Sequence, residues 1–367
     1  MQSDPFFDLY TGTNLLQGNA ECEPAVSQYC VWGCFALFCV WPPRGARIDA
    51  GVPPFTSLEK DRIAEEEDMS VEVHSSGGDI GAEIAGIDIS KPLSASEIVA
   101  VEAAFVDRTV LVFRGQKLTD RQFADFSAQF GPLRVHIQKA FQHPDIPEIV
   151  YNRNVDADGK FDEVGASRGV TRDLKYGWHS DTSYEIVPAV ATTVHALEVP
   201  SSGGNTCFAS GYRSYESLPD GFKARLKGLM GEYALGRNSK NSLTQTLTGK
   251  LPPEARSRAT VFHPIICRHP VSRRPAIYAN PLQTVRVMDV SEAESEDILE
   301  TLFEAIHQAG TTGGHWEHEW RVGDTIMWEN RGGVFHSGRM DYPLDERRIM
   351  IRCTVGSCPI EAYSAAA

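Results

Sequence analysis

The sequence predicts a mainly β fold of the α+β class, a double-stranded β-helix or jelly roll with buttressing helices, and three observations predict it. Short runs rich in Val, Ile and Thr recur along the chain, two capped helical segments are set among them, and a His-x-Asp pair is answered by a histidine 157 residues downstream. Many short strands with few helices suit two packed sheets, in which strands distant in sequence become neighbours.

Taken in chain order, the first helix is announced by Thr119 and Gln122, the two ends of a capping box. Phe123, Phe126 and Phe130 follow on one helical stripe, and Gly131 stands where a C-terminal cap belongs. Strands are expected over 190–199, 276–279 and 325–328. A second capping box, Ser291 with Glu294, opens a segment whose Ile298, Leu299, Leu302, Phe303 and Ile306 make one apolar face. In Arg347-Arg348-Ile349-Met350-Ile351-Arg352-Cys353, alternation puts Arg348, Met350 and Arg352 on one face of a strand and Ile349, Ile351 and Cys353 on the other.

Two spacings carry chemistry. In extended chain His179 and Asp181 project from the same face while Ser180 points away. With remote His336 they supply two imidazoles and a carboxylate, the facial triad that holds non-haem Fe(II) and leaves positions open for other ligands. Arg348 and Arg352, four residues apart on one face, lie roughly 13 Å apart along a strand at about 3.3 Å per residue. Half-buried guanidiniums need anions, and this separation lets them grip two carboxylates, or a cosubstrate and an anionic substrate, on either side of a metal.

With these residues in view, the chain from Val71 to Ile360 resembles the taurine dioxygenase / 2,4-dichlorophenoxyacetate dioxygenase (TauD/TfdA) family of Fe(II)- and 2-oxoglutarate-dependent oxygenases. The segments that carry the resemblance begin with residues 81–86, 110–114 and 130–133. Trp178-His179-Ser180-Asp181, residues 200–206 and His263-Pro264 follow, and Trp328-Glu329-Asn330-Arg331, His336 and residues 347–350 complete the series. The resemblance implies a clavaminate synthase-like jelly roll with Fe(II) on His179, Asp181 and His336. It further implies that Thr206 and Arg348 hold the distal carboxylate of 2-oxoglutarate, and that His136 and Arg352 contact substrate. The implied reaction consumes O2 and 2-oxoglutarate, hydroxylates a small anionic organic molecule (a sulfonate, sulfate ester or aryloxy or alkyl carboxylate), and releases succinate and CO2. Lys175 stands where the taurine enzyme has an asparagine, and a pocket aromatic is replaced near Lys139, so taurine itself is not the expected substrate. Intact Asp181 disfavours a halogenase. Two other readings of the site stay open: a zinc hydrolase with a metal-bound water as nucleophile, and a non-catalytic jelly-roll binding protein.

Composition sets bounds without choosing an enzyme. A 367-residue chain, 42% hydrophobic, can bury a large core, and its net charge of −14 argues against a nucleic-acid partner. No apolar stretch reaches the 20 or so residues of a membrane span. Half the net charge lies in residues 1–68, which also hold Cys22, Cys30, Cys34 and Cys39 at spacings unlike a zinc ribbon. These residues are expected to be a poorly ordered leader, or sequence upstream of a true start at Met69, with residues 69–367 forming the dioxygenase-like domain. Cys207, Cys267, Cys353 and Cys358 are scattered singly, as reduced thiols in a cytoplasmic setting would be; a homo-oligomer, dimer or tetramer, is expected. Of the other histidines, His195 reads as core, His315 and His318 as part of a loop or sheet entry, and His74, His143 and His307 as surface. Trp178 and Trp328 either wall the site or fill the core.

Overall fold

The computed structural model describes residues 71–136, 139–156, 158–161, 174–235, 260–313, 315–343 and 345–364. The expected leader and its four cysteines lie outside the described residues.

Eight strands form the larger sheet. Its order is Glu72–Ser75, Ala82–Ala85, Val110–Phe113, Thr325–Glu329, Ala191–Glu198, Ile349–Val355 and Leu133–Arg134, and Ile149–Arg153 also pairs with Ile349–Val355. A three-stranded sheet, His315–His318, Thr206–Ser210 and Val334–Gly338, makes the second layer. Residues from both sheets meet in one buried cluster: Val110, Val112, Val194, Ile326, Trp328 and Met350 from the large sheet, Phe208 and Val334 from the small one. This apolar filling between two sheets is the jelly-roll interior. Most of the pairing is antiparallel, which lets distant segments such as 191–198 and 349–355 lie side by side along seven matched positions.

Alternation decides what each strand contributes. Ile351 and Cys353 point outward onto Phe123 and Ala124 of the Asp120–Ala128 helix, so the even-numbered residues beside them point inward. Thr206 and Phe208 face the interior in the same way, while Cys207 and Ala209 pack outward against Ile298, Leu302 and Ile306 of the Glu292–Ala309 helix. Helices therefore cover the outer faces of both sheets.

The caps explain where the helices start. Thr119 and Gln122 form the expected reciprocal box, but the helix stops at Ala128. Gly131 lies two residues beyond the C-cap Gln129, with φ 143°, and Phe130 packs edge-on against Phe126 from outside the helix. Ser291 accepts a bond from the Glu294 amide without the return bond, so only half of the second expected box is made. A third long helix, Ala95–Arg108, which sequence reasoning passed over, opens with a full Ser94/Glu97 box.

The histidines divide by tertiary context. His195 is buried with Nδ1 2.8 Å from Thr325 Oγ1, as expected of a core residue. His315 and His318 lie on a strand paired to Thr206–Ser210. His143 is not a free surface residue: its Nδ1 accepts from the Asp145 and Ile146 amides, and its Nε2 lies 3.1 Å from Asp120. His307 is likewise partly covered, because its helix faces the second sheet.

Candidate metal centre

The strand Val334–Gly338 continues into a short bridge in which His179 and His336 stand directly opposite one another. The His179 amide donates to the His336 carbonyl at 3.1 Å and the His336 amide donates back at 3.0 Å. Opposed residues of an antiparallel pair project from the same face, so the two imidazoles stand side by side, ring centres 4.1 Å apart. Asp181, two residues on, joins them. Its carboxylate oxygens lie 3.9 Å from His179 Nε2 and 3.8 Å from His336 Nε2, and one donor atom from each residue falls within 4.8 Å of the others. Among the described residues this is the one such group of three or more potential ligands.

The donors fit a divalent transition metal. Gly177 O can only accept, so the 3.0 Å contact from His179 Nδ1 fixes the proton there and leaves the Nε2 lone pair for a metal. Packing sets His336 instead, with the Trp328 ring 4.6 Å and the Phe208 ring 6.4 Å from it. Burial, reinforced by the neighbouring His179, pushes the His336 imidazole down to about 3, and burial also lowers His179. Both rings are thus neutral, as ligands must be. Burial would raise the Asp181 carboxyl, but the Arg352 guanidinium, helped by the hydrogen bond from Thr192, holds it below its ordinary value.

Arg348 and Arg352 are separated as the alternation requires. Arg352 Nη2 approaches Asp181 Oδ1 at 3.3 Å, which puts this guanidinium inside the centre. Arg348 lies toward the small sheet, where its Nη2 donates to Gly204 O at 3.3 Å. Gly204 has φ 69° and a Cβ there would stand 3.2 Å from Arg348 Nε, so the Pro200–Thr206 turn needs glycine to admit the arginine. Among the described residues no carboxylate pairs with Arg348, and its Nε is buried with no hydrogen-bond partner. Withdrawing a guanidinium even partly from water without an opposite charge is costly, and an anion placed beside Arg348 would offset that cost. Thr206, two residues beyond Gly204, accepts a 3.0 Å bond from Trp320 Nε1.

The remaining expected residues fall in different places. His136 follows the Leu133–Arg134 strand, and its carbonyl accepts from Gln142 Nε2 at 2.6 Å. Lys175 clamps the chain to the Glu292–Ala309 helix through Glu300 at 2.6 Å and Glu304 at 2.7 Å. Lys139 is exposed on a 3-10 turn. Of the two tryptophans, Trp328 walls the site and Trp178 belongs to the core under that helix. Thr192 and Asn330, which sequence reasoning did not single out, both bond to Asp181; the Asn330 signal was its place in Trp328-Glu329-Asn330-Arg331.

Comparison with known proteins places this geometry. Residues 72–354 match the family described as taurine catabolism dioxygenase TauD, TfdA family. The chain is 32% identical over 280 residues to the α-ketoglutarate-dependent 2,4-dichlorophenoxyacetate dioxygenase of Cupriavidus pinatubonensis, covering 74% of this chain and 93% of the relative. It is 30% identical over 299 residues to pentalenolactone F synthase of Streptomyces avermitilis, covering 78% and 94%. The crystal structure of AAD-2 in complex with Mn(II) and N-oxalylglycine matches with a TM-score of 0.65 at 25% identity, covering 81% of this chain and all of that one. The zinc-hydrolase and non-catalytic readings give way to these findings. With a group of two histidines and a carboxylate on its jelly-roll interior, the chain is a 2-oxoglutarate-dependent oxygenase that uses Fe(II) and O2, and it belongs to the TauD/TfdA dioxygenase family.

Proposed function

We propose that His179, Asp181 and His336 hold the iron, that Arg348 and Thr206 hold the far carboxylate of 2-oxoglutarate, and that the substrate is a small organic anion facing Arg352 and His136. The observation that carries this reading is the pairing of a three-donor centre with an arginine, Arg348, that has no carboxylate partner among the described residues. When bound, Fe(II), 2-oxoglutarate and O2 supply the oxidation that hydroxylates a substrate carbon as succinate and CO2 are released.

The chain's own residues bind, orient and exclude water. Arg348 offers Nε and Nη donors in a fork suited to a carboxylate, and the Thr206 hydroxyl adds a further bond. Trp328, Phe208 and Val334 wall the interior side and keep it dry. Arg352 serves two groups on this reading: it steadies Asp181 across 3.3 Å and offers its remaining donors to a substrate anion. Among the described residues its buried Nε has no hydrogen-bond partner, which supports the second role. If the hydroxylated carbon bears sulfur or an ether oxygen, the product collapses to a carbonyl compound and an oxyanion or phenol.

The test is an anaerobic Fe(II) titration with 2-oxoglutarate, followed by succinate detection on admitting air over a panel of sulfonates, sulfate esters, aryloxy and alkyl carboxylates, and the uncharged amides of those carboxylates. The metal-to-ligand absorption band is expected, with succinate formed fastest from one class of anion. His336→Ala is expected to abolish the band and turnover with an unchanged circular dichroism spectrum. A folded protein with no band, or turnover confined to uncharged substrates, would refute the reading.

A further inference from the structure

Asp181 is held by more than its own backbone. Thr192 Oγ1 donates to Asp181 Oδ2 at 2.7 Å, and Asn330 Nδ2 donates to that same Thr192 oxygen at 3.0 Å. A hydroxyl has a single proton. With the Asn330 amide already directed at its oxygen, Thr192 can turn that proton only toward the carboxylate. Asn330 also grips the segment that carries Asp181: its Oδ1 accepts from the Asp181 amide at 3.2 Å, and its carbonyl accepts from Ser180 Oγ at 2.9 Å. Both atoms of the Asn330 amide are thereby assigned, since only the oxygen can accept from an N–H and only the nitrogen can donate to Thr192.

The three residues come from separate segments. Thr192 lies in the Ala191–Glu198 strand, and Asn330 follows Thr325–Glu329, whose last residue pairs with Ala191. Glu329 fixes the turn after Asn330 by accepting from the Arg331 and Gly333 amides, both at 2.8 Å. All of these groups are buried.

We propose that Thr192 and Asn330 are positioning residues for the metal centre: a one-way chain of hydrogen bonds, Asn330 to Thr192 to Asp181, sets the rotation of the Asp181 carboxylate. One oxygen is tied to Thr192, and the approach of the carboxylate to His179 and His336 is fixed before metal arrives. The proposal rests on the metal-centre reading above and adds to it two residues that touch neither metal nor substrate. Outer partners of metal ligands commonly change affinity 10–100-fold.

The test is anaerobic calorimetric titration with Mn(II) alone, without 2-oxoglutarate or turnover. Thr192→Val, nearly the same shape without the hydroxyl, is expected to weaken Mn(II) binding about 10–100-fold with an unaltered circular dichroism spectrum. Thr192→Ser, which restores the donor, is expected to bind within about threefold of the parent, an outcome a general packing defect would not give. Thr192→Ala replaces the valine variant should that protein not fold. In an Asp181→Ala background the Thr192→Val effect is expected to vanish, because the hydroxyl acts through the carboxylate. Parent-like Mn(II) affinity in Thr192→Val, with Asp181→Ala itself defective, would overturn this proposal and leave the metal-centre reading standing. Parent-like affinity in Asp181→Ala would overturn both.

Discussion

Trp320 Nε1 donates to Thr206 Oγ1 across 3.0 Å in a buried setting. The bond occupies one acceptor site of the hydroxyl and leaves its proton free to be given away. Thr206 is thereby biased toward donating, which an anionic carboxylate requires. Trp320 is in turn edge-on to His318, ring centres 4.7 Å apart, and His318 lies 3.1 Å from Asp324, which also takes Arg114 at 2.6 Å.

Replacing Trp320 with Phe is therefore expected to raise the dissociation constant for 2-oxoglutarate about fivefold, the worth of one hydrogen bond of roughly 1 kcal/mol. Mn(II) affinity should not change. Anaerobic titration of the Fe(II) absorption band reads the first and calorimetry the second, and in a Thr206→Ala background the effect should disappear.

The two arginines are expected to separate kinetically. Arg348→Met should weaken 2-oxoglutarate by about 100-fold or more, since a charge-assisted paired contact is worth about 3 kcal/mol, and leave metal binding intact. Arg352→Ala should raise the substrate KM at least about tenfold with a smaller change in 2-oxoglutarate affinity. Equal loss of 2-oxoglutarate affinity in both variants would mean that their jobs are exchanged.

Acid should expose the buried Glu329. Burial alone would raise its carboxyl, but Arg331 and His269 outweigh that and hold it at about 2, below the usual 4.5. A depressed native value means that the carboxylate contributes fully above pH 4.5, and that this contribution is lost as the pH falls toward 2. The shift corresponds to something on the order of 3 kcal/mol. Urea midpoints measured between pH 6 and 3 should fall steeply for the parent. For Glu329→Gln they should begin lower, because Arg331 is left buried and unpaired, and fall less.

Gly310 closes the Glu292–Ala309 helix against Trp178, and a Cβ there would come 2.3 Å from Trp178 Cζ2. Its φ of −86° is open to any residue, so the constraint is one of space. Gly310→Ala should cost roughly 1–3 kcal/mol from overpacking, read by thermal unfolding. Because Trp178 precedes His179, it should also weaken Mn(II) binding more than an exposed control such as Gly221→Ala, where a Cβ meets nothing.

Much of the site was legible in local pattern. The two-residue repeat of extended chain put His179 beside Asp181, and Arg348 on the face opposite Ile351, because strand geometry fixes side-chain direction over a few residues. Capping chemistry located the Asp120–Ala128 helix to within two residues of its end. The same local reading could not separate Trp178 from Trp328. Each adjoins a motif, and only the sheet to which it belongs sends one under a helix and the other to within 4.6 Å of His336.

Local pattern along the chain carried residue chemistry and short-range direction: a three-donor set, two arginines on one face, a mainly β chain with capped helices. The tertiary structure decided which distant atoms touch. Thr192, Asn330 and Asp181, drawn from three segments, form one hydrogen-bonded chain, and Lys175 pairs with Glu300 and Glu304 of the Glu292–Ala309 helix. The physical reason is that strand register, set by the packing of whole sheets, brings residues 100 or more apart within hydrogen-bond distance, and no local periodicity encodes it.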